Sequence, residues 1–531
     1  MKQVWHKYLT ILFLSCSAVA TAQHISEFTS VSPASQNGQL NLPPTHCFQL
    51  LAQEGDTLEN GLVLLPVPDF TCFLSDDGQS NKGLLSLNHE IGGGHGGVTV
   101  FDIGLDSALQ LWRLSNGASL DFGPLNGISR PCSGGITPWH TVVVGEESIL
   151  PFDSDSNRYN DSGWLVEIDP VARKPIQKLW KAGNGLHENC TVMADEKTLY
   201  WGGDDGLYGF IFKYVANGKR KLAEGRLFVL IRGNSSSSLG YWIKVPNSTP
   251  EECNNINTFC FNHNAWNFSG VEDVEQGPDG RVYFAAKNSG RIWRFRDEGE
   301  IISELSVFVE NQEYPIQTAY CTENVPWATG ADNLAFDSEG NLWVLQDGGN
   351  NHIWVVAPSH SALHPAISLF ATTPWGCEPT GITFSPDNHY LFLSLQHPSF
   401  TNQDTVSDAA GIQVVFNKAS TLVIARNEFL GQHLSAGSDS LKDKNNSGWS
   451  NLQLFPNPPI DQKISIQSTE FEEGQLVHTS VYDGLGKQIG SSSSRVENGT
   501  IAMTLEPVVQ GIFWIRVHCS NKSGAIPVVF R

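Results

Sequence analysis

Short apolar, aromatic-rich runs, each opened by a polar turn, recur along most of the chain. "MADEKTLYWGG", "GPDGRVYFAAK", "DSEGNLWVLQD" and "SPDNHYLFLSL" all put an acidic turn directly before a strand-like run. A second strand often follows, as in "LYGFIFKYV", "GRIWRFR" and "NHIWVV". Earlier phrases of the same kind are "GLLSLNHE", "GVTVFDI", "LQLWRL" and "GWLVEIDP". Turn, strand, turn, strand at intervals of roughly 50–80 residues predicts a β-propeller of about six blades. The repeating body runs over residues 23–430. A β-sandwich competes for the same pattern, but the body is too long for one sandwich and the repetition favours the propeller.

The pattern changes twice more. Residues 431–451 contain "SAGSDSLKDKNNSGWSN", which is polar, lacks an apolar period and reads as a linker. Residues 452–531 return to strands and glycine turns, in "LQLFPNP", "HTSVYDGLGKQI" and "GIFWIRVHCS", and predict a small β-sandwich. The expected fold class is all-β: a propeller followed by a sandwich. At the other end, Lys2 and Lys7 precede the mostly apolar run Tyr8 to Val19 and the small residues Ala20-Thr21-Ala22. Residues 1–22 therefore read as a cleavable secretory signal, and no later stretch approaches the ~20 apolar residues of a membrane-spanning helix.

Composition adds constraints. The chain has 531 residues, 40% hydrophobic and 17% charged, so it is globular, and its 50 Gly, 15 Trp and 28 Phe suit many short strands. A formal net charge of −22 argues against a nucleic-acid partner, which needs a basic footprint. An anionic substrate stays open if bound cations reverse the local field. Of ten cysteines, Cys16 lies in the signal, which leaves nine, an odd number, for an oxidising compartment. Cys253 with Cys260 and Cys47 with Cys72 are the expected disulfides. Cys132, in "SRPCSGG", is the candidate unpaired metal ligand.

Acidic and histidine residues gather at the ends of the expected strands. They are His89, Glu90 and His95, then His140, Glu146 and Glu147, then His187, Glu188, Asp204 and Asp205. Glu272 and Asp273, Asp332 and Asn333, and Glu378 complete the set. A propeller brings strand ends from every blade to one axial opening, where distant carboxylates converge. Hard oxygen donors favour Ca²⁺, and an added Cys or His opens the site to iron or zinc. Asp153, Asp155, Asn157 and Asp161 have a calcium-loop spacing, but the loop lacks the required Gly and Glu and reads as surface. The chain has no Gly-x-Ser-x-Gly elbow, phosphate-binding P-loop or His-Glu-x-x-His helix, which weakens the serine hydrolase, nucleotide hydrolase and zinc protease readings.

The succession of motifs is more specific than any member. It runs Asn88-His89-Glu90, Cys132-Ser-Gly-Gly-x-Thr-Pro-Trp139 with Glu146-Glu147, Gly163-Trp164 before Glu167-Ile168-Asp169-Pro170, His187-Glu188 and Gly203-Asp204-Asp205. Glu272-Asp273, Asp332-Asn333-Leu-Ala-Phe-Asp337, Gly376-Cys377-Glu378-x-Thr-Gly381 and Gln396-His397-Pro398 follow. From about residue 80 to 400 this order resembles the PhoX family of secreted bacterial phosphatases. The resemblance implies a six-bladed propeller whose axial iron and calcium ions hydrolyse phosphate esters. It implies Cys132 as an iron ligand, and as carboxylate ligands Glu90, Glu146 or Glu147, Glu188, Asp204 or Asp205, Glu272 and Glu378. His187 is carried as a catalytic candidate. Arg130, beside Cys132, is either a clamp for a phosphate oxygen or an ordinary surface arginine.

Two departures stand out: Gly145 replaces a cysteine the family tends to have, and Asn184 replaces an arginine. The implied partner is a small phosphorylated substrate acted on by a monomer. The competing readings are a non-catalytic, calcium-stabilised propeller that binds a glycan or surface partner, and a phosphodiesterase or lactonase on the same scaffold. The terminal block resembles the C-terminal sorting domain of the type IX secretion system of Bacteroidetes, through Phe455-Pro456-Asn457-Pro458, Tyr482-Asp483-x-x-Gly486 and Gly511-Ile512-Phe513. That resemblance implies export by the type IX machinery to the cell surface or medium.

Overall fold

In a computed structural model, the described residues are 24–58, 61–233 and 238–431, and then 447–448, 452–460, 463–469, 471–482, 488–504, 511–519 and 522–530. The expected signal (1–22), most of the expected linker, Cys16 and the Asp483–Gly486 turn lie outside them. The chain divides into two compact units at residue 431. Each is described by itself.

The two inner strands of each blade in the first unit are largely buried on both faces, which is why they read as continuous apolar runs rather than as alternating ones. Thr198–Gly203 shows how: Leu199 and Trp201 pack towards one neighbouring sheet and Tyr200 towards the other. Among the described residues six four-stranded blades follow one another around an axis. Their innermost strands are Pro68–Ser75, Pro131–Ile136, His187–Val192, Val271–Gln276, Ala331–Phe336 and Glu378–Phe384, for blades 1 to 6. Each innermost strand touches its two neighbours, so the ring closes. Blades 3 and 4 are also joined at the rim by Gly240–Val245, which pairs with the outer strands of both.

Closure is made by the chain's own start. Blade 6 takes Glu378–Phe384, Tyr390–Gln396 and Ser420–Arg426 from the end of the unit and its outermost strand, His46–Gln53, from the beginning. Six apolar cores fill the six gaps between blades. The gap between blades 6 and 1 holds Phe73 stacked on Phe392 at 4.7 Å, with Trp112 edge-on to both.

The acidic turns that mark the repeat are structural. Asp195, Asp279, Asp337 and Asp387 each accept backbone N–H bonds two to four residues ahead, closing the turn between first and second strands. They lie at the opposite end of the inner strands from the axial acids described below.

The expected disulfides, Cys253 with Cys260 and Cys47 with Cys72, do not form. Cys253 and Cys260 sit on successive short helices, Pro250–Asn254 and Ile256–Asn262. The Cys253 thiol faces the Asn247 carbonyl, while Cys260 packs into the core between blades 2 and 3. Cys47 lies on the outermost strand of blade 6 and Cys72 on the innermost strand of blade 1. Sequence spacing was a poor guide to direction.

The second unit is a sandwich of a five-stranded and a three-stranded sheet. Ile464, Ile466, Val477, Val481, Ile501, Ile515, Val517 and Val528 fill it.

Phe392→Ala removes the ring that links the last blade to the first. It is expected to cost about 3–5 kcal/mol, read as a lower denaturant midpoint at unchanged slope.

Candidate metal centre

A left-handed step precedes four of the inner strands. Val67, Arg130, Gly270 and Gly330 have φ of 54, 48, 91 and 87°. Such values suit glycine and strain a valine or an arginine. A side chain on Gly330 would also strike the Asp347 carbonyl. The first or second residue of every inner strand is a donor: Asp69, Cys132, Glu188, Glu272, Asp332 and Glu378, for blades 1 to 6. In blades 1 to 5 the strand register shifts just past that residue, a bulge that frees the side chain from the regular pleat.

A second ring lies beside the first. The residue directly after the second strand of each blade is Glu90, Glu147, Asp204, Lys287, Asp347 and His397. In blades 1 to 5 its backbone N–H donates to the carbonyl of the residue preceding the inner strand. The five bonds are Glu90 to Val67, Glu147 to Arg130, Asp204 to Leu186, Lys287 to Gly270 and Asp347 to Gly330, at 2.8–3.1 Å. This repeated latch fixes the two rings against each other at one end of the axis.

The donors are close enough to share ions. Asp69, Cys132 and Glu188 hold ligand atoms within 4.8 Å of one another, as do Glu90, Cys132 and Glu147. So do Glu188, Glu272 and Asp332, and Asp332, Asp347 and Glu378. Shared members join these triads into one arc. The Asp69 Oδ1 atom is buried without a hydrogen-bond partner, as expected of a donor waiting for a cation. Oxygen donors with one thiol fit hard cations together with one softer ion.

Crowding shows in the acidities. Burial pushes Asp69, Glu188, Glu272 and Glu378 well above the usual carboxyl range, and neighbouring acids push further: Glu90 first on Asp69, Glu272 first on Glu188, and Asp332 first on Glu272 and Glu378. Burial and then Glu90 raise Glu147 to about 8 against the pull of Arg130. Burial raises Asp332 to about 6 although Lys287 opposes it. Burial, Asp69 and Glu188 raise the Cys132 thiol, which lies 3.1 Å from Glu188 Oε1.

Two cationic side chains enter the arc. Arg130 Nη2 pairs with Glu90 and, at 3.0 Å, with Glu147, while the side chain stays 45% exposed. The Lys287 Nζ atom lies 2.9, 3.3 and 3.5 Å from Glu272, Asp347 and Asp332. Burial works against that ammonium, but Asp332 and Glu272 outweigh it and hold Lys287 well above the usual lysine range.

Of the residues singled out from sequence, Glu90, Cys132, Glu147, Glu188, Glu272 and Glu378 meet in the arc, with Arg130 on its rim. Asp204 is close enough to raise Glu147, Glu272 and Asp332. Three others stand apart. Glu146 is the last residue of its strand, buried in an ion pair with Lys178, and takes backbone N–H bonds from Ser129, Gly163 and Trp164. Asp205 caps the turn at Leu207 and Tyr208. His187 is fully buried against Trp201 with Nε2 on the Gly183 carbonyl, and burial lowers it to about 3. It is a packing residue.

Sequence reasoning left Asp69, Asp347 and Lys287 unmarked and kept Asp332 out of the ligand set. Superposing strand starts, "PDF", "PCS", "HEN", "VED" and "ADN", would have exposed the second-position donor in five blades. The two departures also have structural roles. A side chain at Gly145 would strike the carbonyls of His187 and Glu188, so a cysteine does not fit here. Asn184 is buried and braces a loop through the carbonyls of Ser162 and Gly163.

The family model described as alkaline phosphatase PhoX matches residues 110–399, more than half of the chain. The chain belongs to the PhoX family. PhoX of Pseudomonas fluorescens, solved with vanadate as a transition-state analogue, has the same fold at 20% identity and a TM-score of 0.61. The match covers 76% of this chain and 99% of that one. An inactive virginiamycin B lyase of Staphylococcus aureus is a far weaker likeness, with 12% identity, a TM-score of 0.37 and coverage of 71% and 98%. No curated protein matches the sequence.

Raised carboxyl pKa values make the metal-free protein pH-sensitive. Between the ordinary values of 3.8 for Asp332 and 4.5 for Glu147 and the folded values of about 6 and 8, the folded state binds more protons than the unfolded. Stability therefore falls as pH rises through that window. In chelator, the melting temperature is expected to drop steadily from pH 5 to pH 8, and added Ca²⁺ to flatten the slope.

Proposed function

We propose that this chain is a secreted, metal-dependent phosphomonoesterase that works at the arc of donors on the propeller axis. Membership of an alkaline phosphatase family supports the reaction class. The carrying observation is the double ring, in which all six blades turn a donor to one end of the axis and four add a second carboxylate. Asp69, Glu188 and Glu378 would hold hard cations such as Ca²⁺, with Glu272, Asp332 and Asp347 shared with the Lys287 ammonium, and Cys132 with Glu90 and Glu147 would hold iron. When bound, such ions supply Lewis acidity to phosphoryl oxygens and cancel repulsion between a phosphate dianion and an anionic nucleophile.

The chain's own groups do the rest. Arg130, tethered by Glu90 and Glu147, keeps donor capacity at the rim to orient a phosphoryl oxygen. The raised acids must ionise before they bind cations, so loading and activity should rise with pH.

The ends of the chain fit an exported enzyme: residues 1–22 as signal, and the terminal sandwich as a type IX sorting domain that carries no catalysis. The export reading rests on the charge and hydrophobic pattern of residues 1–22, and the sorting reading on the sequence resemblance.

Purified protein is expected to contain iron and calcium and to release phosphate from p-nitrophenyl phosphate. Cys132→Ala should lose iron. Glu188→Gln should lower kcat/KM by more than ~100-fold, the upper range for losing a mere outer-sphere partner. A folded, iron-free wild type with no phosphatase activity would overturn the proposal, and phosphodiester turnover alone would redirect it.

A further inference from the structure

The second ring breaks its own rule in blade 4. Blades 1, 2, 3 and 5 follow their second strand with Glu90, Glu147, Asp204 and Asp347; blade 4 follows Val282–Ala286 with Lys287. The backbone of Lys287 is latched as in blades 1, 2, 3 and 5, its N–H on the Gly270 carbonyl. Its carbonyl accepts from Gly290 and Gly330, so three bonds hold it in place. The side chain then delivers one ammonium among Glu272, Asp332 and Asp347, at 2.9, 3.5 and 3.3 Å. An ammonium has three donors, and three carboxylates meet it here.

We propose that Lys287 is a built-in cation: its ammonium fills the place that blades 4 and 5 would otherwise give to a divalent ion. A carboxylate there, as in blades 1, 2, 3 and 5, would add a ligand and a negative charge; the lysine removes the ligand and supplies a positive charge. Glu272 and Asp332 are then partly neutralised from within, and ion loading shifts towards Cys132 and Glu188. With its donors committed to three carboxylates, Lys287 is a positioning residue rather than a phosphate clamp.

The inference rests on this end of the propeller being a metal centre, and its test reads ion content rather than activity. Wild type, Lys287→Gln and Lys287→Arg are purified as full chains. Iron and calcium per chain are measured by elemental analysis, and Ca²⁺ uptake by equilibrium dialysis. Lys287→Gln is expected to take up one more Ca²⁺ per chain than wild type, with a larger Ca²⁺-induced rise in melting temperature; Lys287→Arg should match wild type. An unchanged or lower ion count in folded Lys287→Gln overturns the proposal, as does a gain in Lys287→Arg. A Lys287→Gln chain that folds only with Ca²⁺ present, while wild type folds without it, supports it. A wild type that binds no ion overturns this proposal and the metal-centre reading together, whereas ion-loaded wild type without phosphatase activity overturns only the proposed reaction.

Discussion

Repulsion among carboxyls at one end of a narrow axis is the constraint on which this molecule turns. Asp69, Glu188, Glu272, Asp332 and Glu378 each lie close to another acid and away from water, and each is driven towards its protonated form. Among the described residues the permanent positive charges paired with the arc are those of Arg130 and Lys287. No apolar packing makes such a cluster favourable by itself. Backbone geometry leaves the side chains no other direction, and bound cations would convert mutual repulsion into shared coordination.

The geometry that imposes this direction is repetitive. A left-handed residue, a donor and a bulge follow in that order, and the N–H after the second strand latches the start of the first. Six inter-blade cores then hold the ring closed against the charge at its end. Asn189, Asp273 and Asn333 stitch successive blades beneath the donors by accepting the N–H of Val274, Leu334 and Gly381. The stitches keep adjacent inner strands in fixed register, so the donors of neighbouring blades stay within sharing distance.

Much of this was legible in the sequence, and the failures have physical causes. The strand phrases announced the propeller because the two inner strands of each blade are largely buried on both faces, so the hydrophobic signal was strong. The family motifs led to the right neighbourhoods but not always to the right residue. Glu146 and Glu147 differ by one position, and in a strand one position reverses the side chain: the first turns into the core towards Lys178, the second into the arc. The same parity separates His187 from Glu188. Asp69 escaped because "PDF" reads as an ordinary turn before a strand. Lys287 escaped because a search for ligands passes over a cation. The disulfide pairs failed because spacing says how far apart two thiols are in the chain, not where they point.

A perfect six-fold repeat would give six equivalent sites and no preferred place for a substrate. What makes the opening directional is the set of departures from the repeat. Blade 2 replaces a carboxylate with the Cys132 thiol, blade 4 replaces one with Lys287, and blade 6 sets His397 beside Glu378 at 3.9 Å. Arg130 adds a fixed positive charge at the rim between blades 1 and 2. The softest donor therefore lies at blade 2 beside the acids that Arg130 pairs, and Lys287 neutralises a second set at blades 4 and 5, so the arc varies in both softness and charge. Ions of different hardness would sort along that gradient without needing differently shaped cages. The repeat supplies the position of every donor; the exceptions supply the chemistry.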